Sequence, residues 1–225
     1  RGTQRDLERS LARLSSGFRI NQASDDAAGL AISENLKAQI RGLRQAGRNA
    51  QDGVSLVQVA EGGLNEISSI MIRLRELAIQ SASDTIGDTE RKFIDVEYQQ
   101  LKSEIQRIAE ATRFNGRDLL NGTGGLIDIQ VGVYNDDFKD RISFNASAAN
   151  SSLESLGIMA ESVATKAQAQ QSISAVDGSI VSVNAIRANF GAMQNRLQST
   201  ITNISIFDEN LSAANSRIRD ICIGS

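Results

Sequence analysis

The stretch Leu64-Asn-Glu-Ile67-Ser-Ser-Ile-Met71-Ile-Arg-Leu74-Arg-Glu-Leu-Ala78 decides the fold, because apolar residues recur there at alternating steps of three and four. That is one face of an α-helix, and a seam suited to packing lengthwise against another helix. Upstream, the alternation runs through Leu36, Ile40, Leu43, Gly47, Ala50, Val54 and Val57, with one additional step of three at Ala60, a single stammer. The spacing predicts one helix over about 27–82, on the order of 80 Å long. Gly42, Gly47, Gly53, Gly62 and Gly63 each cost about 1 kcal/mol of helix propensity relative to Ala. Close lateral packing, with a neighbour lying where a Cβ would be, is the expected compensation.

Working outward, Ser83-Asp-Thr-Ile-Gly-Asp88 breaks the pattern. A second helix is expected over about 89–113, with Ile94, Tyr98, Leu101, Ile105, Ile108 and Thr112 on one face. The short connection implies an antiparallel hairpin. Phe114-Asn-Gly116 and Asn121-Gly-Thr-Gly-Gly125 are turn signals. The period then falls to two at Ile127, Ile129, Val131 and Val133, a half-buried strand whose partner is Arg141-Ile-Ser-Phe144 after a turn at Asn135-Asp-Asp137. Residues 145–155 read as a linker. A last helix is expected over about 165–221, with a stripe that includes Ile173, Val176, Ile180, Val183, Phe190 and Leu197. None of these segments is apolar enough to stand alone, so they must bury one another. The expected fold is mainly α: an elongated rod of long antiparallel helices with coiled-coil-like packing, and a small β-hairpin region over about 126–145 at one end.

Composition narrows the function. Aromatics are 4 % of the chain, which has no Trp, His or Pro; a rod of helices needs Leu, Ile, Val and Ala more than it needs large rings. Without His there is no Ser-His-Asp or Cys-His relay and no His-bound metal. Cys222 is the single cysteine, so an internal disulfide and a thiolate metal cluster are excluded. Gly62-Gly63 is no phosphate loop, since no Gly-Lys-Ser/Thr follows. The expectation is a non-enzyme with no catalytic residues, no metal and no cofactor. A net charge of −3 argues against a nucleic-acid partner, and no apolar run has the length of a membrane span.

Leu7, Leu11 and Leu14 mark one face of a helix near the start, and Ser15-Ser-Gly17 reads as its stop. Ser24, Asp25 and Asp26 read as the start of the long helix, because their side chains can cap orphan N–H groups and acidic charge suits the helix dipole. The alternative for Asp25 and Asp26, a carboxylate pair for acid–base work or cation binding, lacks any accompanying base, nucleophile or further ligand.

At these residues the chain resembles the bacterial flagellins. Leu14-Ser-Ser-Gly-Phe-Arg-Ile-Asn-Gln-Ala-Ser-Asp-Asp-Ala-Ala-Gly-Leu-Ala-Ile32 is similar to their N-terminal region. Gln45-Ala-Gly-Arg-Asn-Ala-Gln-Asp-Gly53, Ala60-Glu-Gly-Gly-Leu-Asn-Glu-Ile67, Ile72-Arg-Leu-Arg-Glu-Leu-Ala-Ile-Gln80 and Ser216-Arg-Ile-Arg-Asp220 follow in the family's order. The resemblance implies a structural subunit of the flagellar filament, self-assembling through helical core faces for swimming motility. It implies export by the flagellar type III apparatus without a cleaved signal peptide, and an extracellular place on the flagellum. Its partners would be other flagellin subunits, an export chaperone and a capping protein. Residues 1–24 would be the remnant of the N-terminal helix with its connector, and 25–221 the core domain with no large outer domain. Most of both family termini would lie beyond Arg1 and Ser225. Cys222 stands where flagellins commonly carry an acidic residue.

Two further implications concern function. In flagellins detected by animal Toll-like receptor 5, the segment matching Met71–Gln80 and the neighbouring helix form the contact surface. Arg73, Leu77 and Gln80 match its Arg, Leu and Gln, and Glu97 matches a contributing Glu; Ile72 and Leu101 depart from the common Gln and Arg. The bland reading is a helix with a packed seam and a solvated face. The alternative within the family is a hook–filament junction protein. Such proteins more often place Pro after Ser-Asp-Asp, where this chain has Ala27. A helical signalling rod is opposed by the β-hairpin in mid-chain.

Overall fold

The structure, a computed structural model, describes residues 26–219 together with Leu11 and Ser15, both helical. The rest of the expected N-terminal helix, the stop at Ser16-Gly17, Ser24, Asp25 and Cys222 lie outside the described residues. Three long helices dominate: α1 (Ala27–Ala82), α2 (Asp88–Ala111) and α3 (Lys166–Arg219). Between α2 and α3 come β1 (Arg113–Phe114), β2 (Arg117–Asp118), β3 (Leu126–Gln130), β4 (Arg141–Asn145) and a 3-10 turn over Ala146–Ala149. β1 pairs antiparallel with β2, and β3 with β4. This is the mainly α class with a small β region that the periodicity predicts.

The chain packs as two compact units. The larger comprises 52–129 and 142–198. Its core is the α1 seam: Ala60, Leu64, Ile67, Met71, Leu74 and Ala78 are each fully enclosed. Each large aliphatic side chain so buried stabilises the fold by roughly 2 kcal/mol. α2 contributes Tyr98, Ile105 and Ala109 to the buried interior, and α3 contributes Val176, Val183, Phe190 and Leu197. Phe190 meets Phe144 of β4 with ring centroids 4.8 Å apart and tilted by 43°. At Asn115-Gly116 both residues have positive φ, 49° and 77°, the left-handed pair that a two-residue hairpin turn requires.

The other unit comprises the described residues of 26–51, 130–141 and 199–219. Ser33 of α1 donates its hydroxyl to Asn215 of α3 at 2.7 Å, and Arg44 of α1 pairs with Asp208 of α3 at 3.0 Å. Its loop is self-fastened: the Asp136 carboxylate accepts the amides of Phe138 and Lys139, and the Asp140 carboxylate accepts that of Asp136.

Two expectations need correction. Residues 145–155 are no linker: Ala146, Ala149 and Ser151 are buried, and Asn145 and Asn150 accept the amides of Ser147 and Ser152. Small residues are there because the segment is packed. The α3 stripe is also displaced at its start. Ser172 and Ser179 are buried where Ile173 and Ile180 were expected, and each serine bonds the 150–165 segment: Ser172 to the Glu161 carboxylate and the Ser162 carbonyl, Ser179 to the Leu156 carbonyl.

The helix glycines divide. A Cβ at Gly63 would lie 2.6 Å from the Thr112 hydroxyl and 3.0 Å from Leu120, whereas one at Gly62 would meet nothing within 4 Å. Close packing therefore accounts for Gly63 and not for Gly62. Gly62→Ala should raise stability by about 0.5–1 kcal/mol through helix propensity, and Gly63→Ala should lower it. Urea denaturation of the two variants checks the opposite signs.

Candidate interaction surface

The residues singled out in sequence lie on the end of α1 and the facing part of α2. Arg73 donates to Glu97 of α2 from Nε at 3.0 Å and Nη2 at 2.8 Å, and to Glu76 from Nη1 at 3.0 Å. The bonds to Glu97, then to Glu76, hold its guanidinium protonated even more firmly than usual. All three side chains face solvent. Leu77 is only 1 % exposed, so it supports this surface from beneath and offers little area of its own. Gln80 is exposed and borders a groove of about 700 Å³ with Thr85, Ile86, Glu90, Phe93 and Ile94. Around the ion pair stand exposed apolar side chains: Ile72 at 54 %, Phe93 at 71 % and Val96 at 61 %. Asp26 sits at the other end of α1, where its carboxylate accepts the Gly29 amide at 2.9 Å. That is an N-cap.

Buried charge fixes the surface in place. The last carbonyls of α1 need partners; Arg91 of α2 supplies one, donating to the Ser81 carbonyl at 2.8 Å, and it donates also to the Ser83 carbonyl just past the helix at 2.9 Å while pairing with Asp88 at 2.6 Å. Lys102, also buried, donates to the carbonyls of Met159 and Glu161 at 2.8 and 2.7 Å. Burial lowers its pKa, opposed by the nearby Asp95 and Glu161 carboxylates. Asp95 accepts the Ser162 hydroxyl and the Val163 amide. The 150–165 segment is thus tied to α2 by side chains that an apolar pattern search passes over. A signal was present: Arg91, Asp95, Tyr98, Lys102, Ile105 and Ala109 keep the alternation of four and three.

A surface carried by long helices agrees with what the chain is similar to. The family model described as the bacterial flagellin N-terminal helical region matches residues 1–124, and that of the C-terminal helical region matches 173–223. The chain belongs to the bacterial flagellin family. A flagellin of Halalkalibacterium halodurans is 45 % identical over 214 residues, which are 95 % of this chain and 78 % of that protein. The crystal structure of Bacillus cereus flagellin matches with a TM-score of 0.62 and 35 % identity, over 70 % of this chain and 88 % of that one. A Vibrio parahaemolyticus protein named as flagellar hook-associated matches with a TM-score of 0.70 over 87 % of this chain and all of its own, at 14 % identity, a likeness of fold alone.

Flagellins are structural proteins of the flagellar filament, and the place of this one is outside the cell on the flagellum. The family is structural, not enzymatic. No helix among the described residues is long and apolar enough to cross a membrane.

Tyr98 reports on the interior that holds this surface. Burial pushes its phenol up to about 12, against about 10 for a free tyrosine. Unfolding releases that proton from about pH 10, while the folded state keeps it to about 12, so stability falls as pH rises through that window. Lys102, with its lowered pKa, acts with the opposite sign, so the difference between wild type and Tyr98→Phe isolates the phenol. Denaturation series from pH 9 to 12 should show a shallower alkaline decline for Tyr98→Phe; parallel curves would contradict it.

Proposed function

We propose that this flagellin assembles through the exposed faces of α1, α2 and α3, with 25–221 acting as the core domain of the subunit and driving no chemistry. The observation that carries this is the pairing of exposed apolar side chains on single faces of otherwise well-packed long helices: Ile72 and Ile79 at a heptad step on α1, and Phe93 and Val96 at a step of three on α2, with Val59 and Val181 exposed singly. Single exposed apolar residues are ordinary, but several on the shared faces of packed helices mark surfaces that neighbours cover. Other subunits are the principal partners. An export chaperone, a capping protein and passage through the flagellar type III apparatus without a cleaved signal peptide complete the proposal on family grounds. The hook–filament junction reading has the shared fold in its favour, while Ala27 after Asp26 and the 45 % identity to a flagellin favour the filament.

A second reading is recognition by Toll-like receptor 5. It rests on the exposed Arg73–Glu97 pair, which presents a guanidinium among apolar neighbours, the kind of anchor that interfaces favour. Gln80 would line the same face and Leu77 would hold it from below.

Electron microscopy of the full-length protein in polymerising salt tests the first reading. Filaments are expected, and their absence from a folded sample would remove it. For the second, a receptor-reporter assay should give a signal from the wild type that drops at least about tenfold in Arg73→Ala. The variant's unfolding midpoint should stay unchanged, because the pair is solvent-exposed. No wild-type signal, or an equal one from the variant, would count against recognition.

A further inference from the structure

Two surfaces of this chain carry opposite charge at matching helical spacing. In the smaller unit, a groove of about 500 Å³ between α1 and α3 has Ile40 in its wall and is lined by Lys37, Arg41, Arg44 and Arg219. Among the described residues, Glu34 pairs with Lys37 and Arg219, and Asp208 pairs with Arg44. Arg41 has no ion-pair partner among the described residues. Leaving Arg219 aside, Lys37, Arg41 and Arg44 exceed the Glu34 and Asp208 carboxylates, so the described groove is positive in a chain whose net charge is −3. Along α1 its cations continue as the stripe Lys37, Arg41, Arg44, Arg48, at steps of four, three and four.

In the larger unit, α2 presents Glu90, Phe93, Glu97, Gln100 and Glu104 at steps of three and four, one face of a helix. Phe93 on that face is 71 % exposed, and Glu76 of α1 adjoins the face through Arg73. Arg73 and Arg107 answer the four carboxylates, which leaves this face negative; Lys92 falls off the stripe. An acidic helix with an apolar centre complements a basic groove with an apolar wall. Charges at heptad spacing on two facing helices fix partner and register.

We propose that the basic groove beside α1 and α3 of one copy receives the acidic face of α2 of a second copy. This deepens the filament reading and rests on it. Groove and stripe are different surfaces, so one contact leaves each copy with its other surface free. Such a contact is heterologous and propagates from copy to copy instead of closing a dimer.

The test uses the full-length protein in two variants, Lys37→Glu/Arg41→Glu and Glu90→Lys/Glu104→Lys, each first shown by circular dichroism to be folded. The critical concentration for assembly is read by light scattering and electron microscopy. Each variant alone should need at least about tenfold more protein than wild type. An equimolar mixture should return towards the wild-type value, because each reversed surface then finds its complement on the other variant. Variants that assemble like wild type, or a mixture that restores nothing, overturn this contact while leaving wild-type filaments as evidence for the broader reading. A wild type without filaments overturns both. If a variant does not fold, carbodiimide coupling in filaments of mixed isotope-labelled wild type decides: intermolecular links from Lys37 to Glu90, Glu97 or Glu104 support the contact, and their absence overturns it.

Discussion

The continuous burial of the α1 seam in the larger unit is the constraint on which the rest depends. A long helix carrying five glycines between Gly42 and Gly63 has little intrinsic stability. It persists because every seam residue from Ala60 to Ala78 is enclosed. Where Cβ atoms are missing, at Gly53 and Gly63, neighbours from β3, α3 and the end of α2 fill the space. The same glycines that weaken the isolated helix therefore permit the approach that stabilises it.

That seam turns local packing into surface. With one side of α1 committed to the core, Arg73 and Ile72 are fixed facing outward, and Arg91 ties the end of α1 to α2 so that Glu97 meets Arg73. The 150–165 segment then fastens α2 through Lys102 and Asp95. A contact surface on helices held this way is preorganised, which limits the ordering cost of binding. Assembly needs no moving part in this picture, only charge and apolar side chains presented at fixed spacing.

The fold was largely legible because its signal is periodic. The α1 seam read from Leu36 to Ala78 is the seam that is buried or half-buried, and the change of period at Ile127 and Ile129 marks β3. What escaped was polar. Arg91 and Lys102 lie buried at heptad positions, but an apolar search discards them; their partners are backbone carbonyls distant in sequence, which no local pattern specifies. Ser172 and Ser179 were passed over in favour of the neighbouring isoleucines for the same reason. Leu77 shows the converse: family resemblance placed it in a contact surface, yet its position one step before Ala78 widens the apolar stripe and sends it inward. Gln80 and Glu97 needed no such correction to their exposure.

Native-state hydrogen exchange tests the central claim most directly, since it ranks the stability of each helix within the folded protein. If the α1 seam holds the larger unit together, amides from Ala60 to Ala78 exchange slowest, and only through global unfolding. If those amides instead exchange through local opening while α2 and α3 stay protected, the seam is not what the unit depends on, and the account fails.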